Sequence, residues 1–152
     1  MDKQSAKRKA EHYCAYQERS QQELRDKLYD WGLHRAEVEE VISDLIVDNF
    51  LNEERFAKAY VSGKFKIKKW GRIKIKQGLK LKKIPERMIR EALSTIDPEE
   101  YLEAIRFTAE KKLRLMTEKD AFKRRSKLFS FLQSKGFEND LIFDVLKDNN
   151  LS

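Results

Sequence analysis

Residues 64–83 read KFKIKKWGRIKIKQGLKLKK. Ten of these residues are Lys or Arg, and none is Asp or Glu. Taken alone, K-F-K-I-K and R-I-K-I-K alternate apolar and charged residues around Trp70-Gly71, as a β-hairpin would. Whether they are strands or helices decides the fold. Three segments, beginning at Glu23, Lys74 and Lys127, align without gaps at offsets of 51 and 53 residues. Leu24, Ile75 and Leu128 share a column, as do Leu28, Leu79 and Leu132. Leu33, Ile84 and Phe137 follow, then Val38, Ile89 and Ile142, then Ile42, Leu93 and Leu146. Apolar residues at i and i+4, a break, and again i and i+4 describe two helices joined by a tight turn. The repeat overrides the local alternation, so the basic stretch is expected to be the end of one helix, a Trp-Gly turn and a second helix.

The punctuation agrees. Gly32 and Gly136 occupy one column, where a glycine of positive φ ends a helix. Lys83 stands there in the middle segment, before Ile84-Pro85, and Pro85 suits the first position of the next helix. Ser20 and Glu23 form a capping box, and Asn52 and Asp97-Pro98 open further helices. The first of these two runs from Glu53 to about Lys69. An N-terminal segment, Ser5 to Gln17, carries Ala6, Ala10, Tyr13 and Cys14 in one stripe. The expected fold is all-α, with three tandem three-helix repeats over residues 1–51, 52–96 and 97–152 in an elongated, curved, helix-turn-helix-like array. One such unit has little core of its own, so stacked units are expected to share one. The N-terminal KQSAKRKAEHY is expected to fray, and residues from about Asp148 to be disordered.

Of the 152 residues, 39% are charged and 40% hydrophobic, with 5 Gly and 2 Pro, which favours helices with solvated outer faces. No apolar run is long enough to span a membrane, and Met1 opens a charged stretch rather than a signal peptide. Cys14 is the single cysteine, so a reducing cytoplasm is the expected setting. Net charge is +7, yet outside residues 64–83 acidic residues outnumber basic ones. The basicity is therefore local and points to a polyanion or an acidic protein surface. On a helix, Arg72, Lys76, Lys80 and Lys83 form one stripe, continued by Lys64 and Lys68. Ile75 and Leu79 face the core, Gly78 permits a close neighbour, and Ile73 and Leu81 point away. The candidate binding surface is Lys64, Lys66, Lys68, Lys69, Arg72, Lys74, Lys76, Lys80 and Lys83, with Trp70 as the candidate base-stacking ring.

No catalytic or metal-ligating constellation stands out. His12 and His34 lie far apart, and His12 and Cys14 point in different directions on a helix. No Cys-x-x-Cys, His-Glu-x-x-His, P-loop or G-x-G-x-x-G spacing occurs. The expectation is a binding module without enzyme activity, cofactor or metal. Glycine-turned helix pairs suggest DNA readers, but Pro85 to Ile96 is balanced in charge and poor in the polar residues that meet base edges.

Three stretches, SQQELRDKL, NEERFAKAYV and GRIKIKQGLKLKKI, carry a further signal. With Ser20, Glu23, Leu24, Glu53, Arg55, Phe56, Ala57, Gly71 and Ile75 in register, the chain resembles the RecX family of regulators of the RecA recombinase. The match runs from about Tyr13 to Ile96, while the third repeat agrees only in its apolar pattern. Asn52 departs from an acid, and Lys82-Lys83 from Lys-Gly. The resemblance implies three three-helix repeats in a monomer. It implies binding to the RecA filament on single-stranded DNA and inhibition of RecA ATP hydrolysis and strand exchange, within recombination, repair and the SOS response. Direct DNA contact is left open. The alternative reading is a non-specific nucleic-acid-binding helical protein without a RecA partner.

Overall fold

The computed structural model describes residues 1–151, and all of their regular structure is helical. Unit 1 comprises α1 (Lys3–Tyr16), α2 (Gln21–Asp30) and α3 (Arg35–Val47). Unit 2 comprises α4 (Glu53–Lys66), α5 (Arg72–Leu81) and α6 (Glu86–Leu93). Unit 3 comprises α7 (Pro98–Leu115), α8 (Ala121–Ser134) and α9 (Asn139–Asp148). The basic stretch is thus helix, turn and helix. The first helix stops at Lys66, short of the expected Lys69, because Lys69 takes φ 57° and turns the chain. Pro85 is the N-cap of α6 and not its first helical residue.

One turn chemistry explains the repeat. Gly32 has φ 89° and Gly136 φ 96°, and Lys83 in the same column has φ 60°. In each unit the next residue donates its N–H five residues back: Leu33 to Leu28 O (3.2 Å), Ile84 to Leu79 O (3.2 Å), Phe137 to Leu132 O (3.4 Å). This is the Schellman closure, whose two hydrogen-bonded residues also pack together. Two of the five apolar columns, Leu28/Leu79/Leu132 and Leu33/Ile84/Phe137, are therefore the two ends of one hydrogen bond. The same closure, with Asn49 (φ 65°) and Asn150 (φ 52°) in the left-handed position, ends α3 and α9.

Both chain ends depart from expectation. Asp2 caps α1 by accepting from the Ser5 N–H at 2.7 Å. Lys3 then pairs with Glu40 at 2.6 Å, and Lys7 reaches Asp44 and Asp48 at 3.6 and 3.8 Å. α1 is held down by charges on α3 that residue order does not place beside it. At the other end, the Leu151 N–H donates to Leu146 O at 2.9 Å, and Leu151 packs on the core. Ser152 lies outside the described residues.

Units 2 and 3 share one apolar core, in which Phe65, Tyr101 and Phe137 meet. Unit 1 differs from expectation by closing its own core, from Ala6 and Ala10 through Leu24, Leu28 and Val41 to Leu51. It joins unit 2 through polar contacts. Arg55 donates to Glu18 Oε1 (2.9 Å), Asn49 Oδ1 (2.8 Å) and Asn49 O (3.0 Å). Glu53 accepts the Gln21 N–H at the start of α2 (3.2 Å), and Lys82 meets Glu23 (3.5 Å). The accessible surface is 9380 Å². A compact chain of 18.1 kDa would expose roughly 8,100 Å², so the array is extended.

Lys83→Gly relieves a left-handed residue that costs roughly 1–2 kcal/mol, less the flexibility glycine gains when unfolded. It should stabilise the chain by up to about 1 kcal/mol in urea melts. Cys14 is 6% exposed, and burial pushes its thiol up to about 11. A thiol raised above its unfolded value stabilises the fold at lower pH, and that contribution is lost as pH rises from about 9 to 11. Melting temperature should fall across this window, and Cys14→Ala should flatten the fall.

Candidate functional site

The loop between α4 and α5 is where the basic stretch meets unit 3. Gly71 is the N-cap of α5 and has no side chain to satisfy that helix's free N–H groups. Unit 3 satisfies three of them. The Gly71 N–H donates to Lys135 O (2.8 Å), the Arg72 N–H to the Tyr101 hydroxyl (2.9 Å) and the Ile73 N–H to Gly136 O (3.0 Å). The two carbonyls follow the C-terminus of α8, where such acceptors are left over. A Cβ on Gly71 would collide with the backbone of Gly136 and Phe137, and one on Gly136 with Lys74. The turns of units 2 and 3 thus touch backbone to backbone.

Side chains seal the contact. Tyr101 donates its hydroxyl to Glu138 Oε1, and Arg72 donates to Glu138 Oε2 at 2.9 Å. The Arg72 guanidinium lies 3.8 Å from the Tyr101 ring centroid. Phe65 stacks on Tyr101 at 5.8 Å, and Phe137 meets it edge-on at 5.6 Å. Burial, and then the Glu138 hydrogen bond, hold the Tyr101 phenol well above its ordinary value.

The structure distributes the nine candidate cations among different surroundings. Arg72 is drawn into this junction. Lys76 pairs with Glu86 at 3.2 Å. Lys64 and Lys74 place their ammonium groups 4.7 and 4.5 Å from the Trp70 ring, which is half-buried against the core. Lys66 and Lys69 line a groove whose other wall bears Asp97, Glu99, Glu100 and Glu103. Lys80 and Lys83 are exposed and have no ion pair among the described residues. Lys64 and Lys68 edge a groove of about 360 Å³ between units 1 and 2, with Phe56, Tyr60 and Ile67 on its walls. Ile73 and Leu81 are exposed, as their spacing predicts, and Gly78 leaves room for the Tyr60 ring.

Two cations missed by inspection of the basic stretch join it here. Lys135, at the C-cap of α8, donates to the Lys68 carbonyl at 3.0 Å. Burial, then the positive charges of Lys74, Lys111 and Lys68, push its ammonium below its ordinary value. Lys111 lies on α7, and its charge acts on Lys135 across the junction. Lys135 has no basic neighbour in sequence, and Lys111 belongs to a separate run, Lys111-Lys112-Leu113-Arg114, so only the folded contact relates them to the basic stretch. Among the described residues no helix is long and apolar enough to cross a membrane, and no group of His, Cys, Asp and Glu is gathered for a metal.

Three family models match in succession. The first three-helix domain of RecX matches residues 6–45, the second 52–93 and the third 99–146. The chain belongs to the RecX family. It is 34% identical over 131 residues to Regulatory protein RecX of Clostridium perfringens, and 36% over 132 residues to that of Clostridium botulinum. These alignments cover 85% and 86% of this chain but 61% of each relative, so the chain spans about three fifths of their length. The crystal structure of RecX from Lactobacillus salivarius superposes with a TM-score of 0.84 at 25% identity, over 96% of this chain and 95% of that one. A second RecX crystal structure gives 0.83 at 26% identity, over 96% of this chain and 71% of that one.

Set against the structure, the residues that carry the RecX resemblance are largely architectural. Glu53 and Arg55 clamp unit 1 to unit 2, Phe56 and Ala57 enter the core, and Gly71 seats unit 2 on unit 3. Tyr101→Phe removes the hydroxyl shared by the Arg72 N–H and Glu138. It should cost about 1–3 kcal/mol in urea unfolding, whereas Tyr16→Phe, at an exposed ring, should cost nothing measurable.

Proposed function

We propose that this chain regulates the RecA recombinase by binding its filament on single-stranded DNA and slowing ATP hydrolysis and strand exchange. Family membership supports the reading, because the relatives bear the name Regulatory protein RecX. The observation that carries it physically is the unpaired cationic surface of the middle unit, set midway along an extended array. Such an array offers successive units to a periodic partner. The binding surface in this proposal is Lys64, Lys66, Lys68, Lys69, Lys74, Lys80 and Lys83, with Arg72 and Lys76 set partly aside by Glu138 and Glu86. The chain acts as a cytoplasmic monomer without catalysis of its own, and residues 1–51, 52–96 and 97–152 serve as its modules.

A RecA ATPase assay on single-stranded DNA tests the reading directly. Added chain should depress the steady-state rate, and no change at saturating protein would overturn the proposal. Lys80 and Lys83 are the substitution sites of choice, since neither holds the fold through an ion pair. Lys80→Glu with Lys83→Glu should raise the half-inhibitory concentration about tenfold, equivalent to about 1.4 kcal/mol of binding. Undiminished inhibition by that variant would move the contact off the end of α5 and the turn after it. The alternative, a nucleic-acid binder indifferent to RecA, would show salt-sensitive DNA binding and an unaltered ATPase rate.

A further inference from the structure

We infer that a single strand of nucleic acid crosses the junction of units 2 and 3, its phosphates resting on Lys68, Lys74, Lys111 and Lys135 and a base against Trp70. These lysines come from the α4–α5 loop, α5, α7 and the C-cap of α8. No one helix presents them: the backbone contact of Gly71 with Lys135 and Gly136 brings Lys135 to Lys68 and Lys74, and the charge of Lys111 acts on Lys135 from α7. Lys135 is fixed at its tip by the Lys68 carbonyl. It also bears the repulsion of Lys68, Lys74 and Lys111, which acts with burial to weaken its hold on a proton. A bound anion relieves that repulsion, so the cluster is poised for one.

Two further features point to nucleic acid over an acidic polypeptide. Trp70 borders the cluster and shares Lys74 with it. A base needs a ring to stack on, and a phosphate needs a cation beside it. Phosphates that draw Lys64 and Lys74 aside expose the ring they now flank. The site also has an edge. Lys66 and Lys69 share a groove with Asp97, Glu99, Glu100 and Glu103, which repel a phosphate chain, and the Lys69 ammonium lies 5.6 Å from the Phe107 ring there. The strand therefore passes over Lys135 to Lys111 and stays out of that groove.

This rests on the proposed function only in expecting a nucleic-acid partner, and its test contains no recombinase. Binding of a fluorescent oligothymidylate is followed by anisotropy at several salt concentrations. Lys111→Gln with Lys135→Gln should weaken binding at least tenfold at low salt. It should also flatten the slope of log K against log salt by about 1.4, since each lost phosphate contact on a single strand removes roughly 0.7. Lys68→Gln with Lys111→Gln, which leaves the Lys135 anchor in place, should act alike and guards against misfolding of the first variant. Trp70→Leu should weaken binding severalfold without changing the slope. Unchanged affinity and slope in both folded lysine variants would overturn the site. Equal displacement of the oligonucleotide by oligoglutamate of the same charge would assign it to an acidic polypeptide instead. Equal displacement by inorganic triphosphate would assign it to a compact phosphate, and either result overturns the inference. If RecA inhibition fails while these variants lose oligonucleotide binding, the site stands without the regulatory reading. If inhibition holds while the variants bind like wild type, the reverse is true.

Discussion

The N-terminus of α5 is capped by a different unit of the protein, and the architecture depends on that. A helix start leaves four N–H groups without intrahelical partners. Most helices here solve this locally, as Asp2, Ser20, Asn52, Asp97 and Asp120 do. At Gly71 three successive N–H groups are satisfied by Lys135 O, the Tyr101 hydroxyl and Gly136 O. A hydrogen bond made contributes only about 1 kcal/mol net, but a buried donor left unmade costs about 1–3 kcal/mol. Undocking the units would strand three donors and two carbonyls together. The geometry is thus fixed less by what the contact gains than by what its loss would expose. Glycine is required on both sides because the backbones touch.

The other junction obeys a different rule. Between units 1 and 2 the contacts are Arg55 with Glu18 and Asn49, Glu53 with the Gln21 N–H, and Lys82 with Glu23. These groups are partly solvated, where ion pairs contribute at most about 1 kcal/mol each. Unit 1 closes its own core and loses little apolar burial by moving. Units 2 and 3 cannot separate without exposing Phe65, Tyr101 and Phe137. The array is therefore a rigid pair with a more independent first unit, and local opening should partition along that line.

This asymmetry also explains what the sequence disclosed. The helices and their turns were legible because the Schellman closure sets a fixed spacing, so Leu28 with Leu33, Leu79 with Ile84 and Leu132 with Phe137 recur in register. It is a local constraint, and local constraints leave periodic marks. Lys83 shares a column with Gly32 and Gly136, yet the charge spacing sets it in one helical stripe with Arg72, Lys76 and Lys80; its left-handed φ places it beyond the end of α5 instead. The docking of Gly71 on Gly136 was not legible, because two distant glycines do not announce that they touch. Nor was the pinning of α1, where Lys3 and Lys7 find Glu40 and Asp44 only after α1 crosses α3. The same limit governs the basic surface. Arg72 and Lys76 belong to the stretch by sequence but are matched by carboxylates in space, while Lys111 and Lys135 join it from elsewhere.

Charge and architecture are consequently coupled at one place. The carbonyl of Lys135 caps α5, while its side chain carries the charge that faces Lys68, Lys74 and Lys111. The contact that holds units 2 and 3 together therefore also brings four like charges together. Repulsion among them opposes the docking, and the aromatic stack with the satisfied α5 donors outweighs it. Residues 64–83 do not act as one uniform positive face. One side shares a groove with acids at the start of α7, another locks the junction, and a third brings cations of three helices and a loop to bear on one another. A substitution that tilted unit 2 against unit 3 would scatter that third group with every lysine still present, so binding and interunit geometry are one property of this fold.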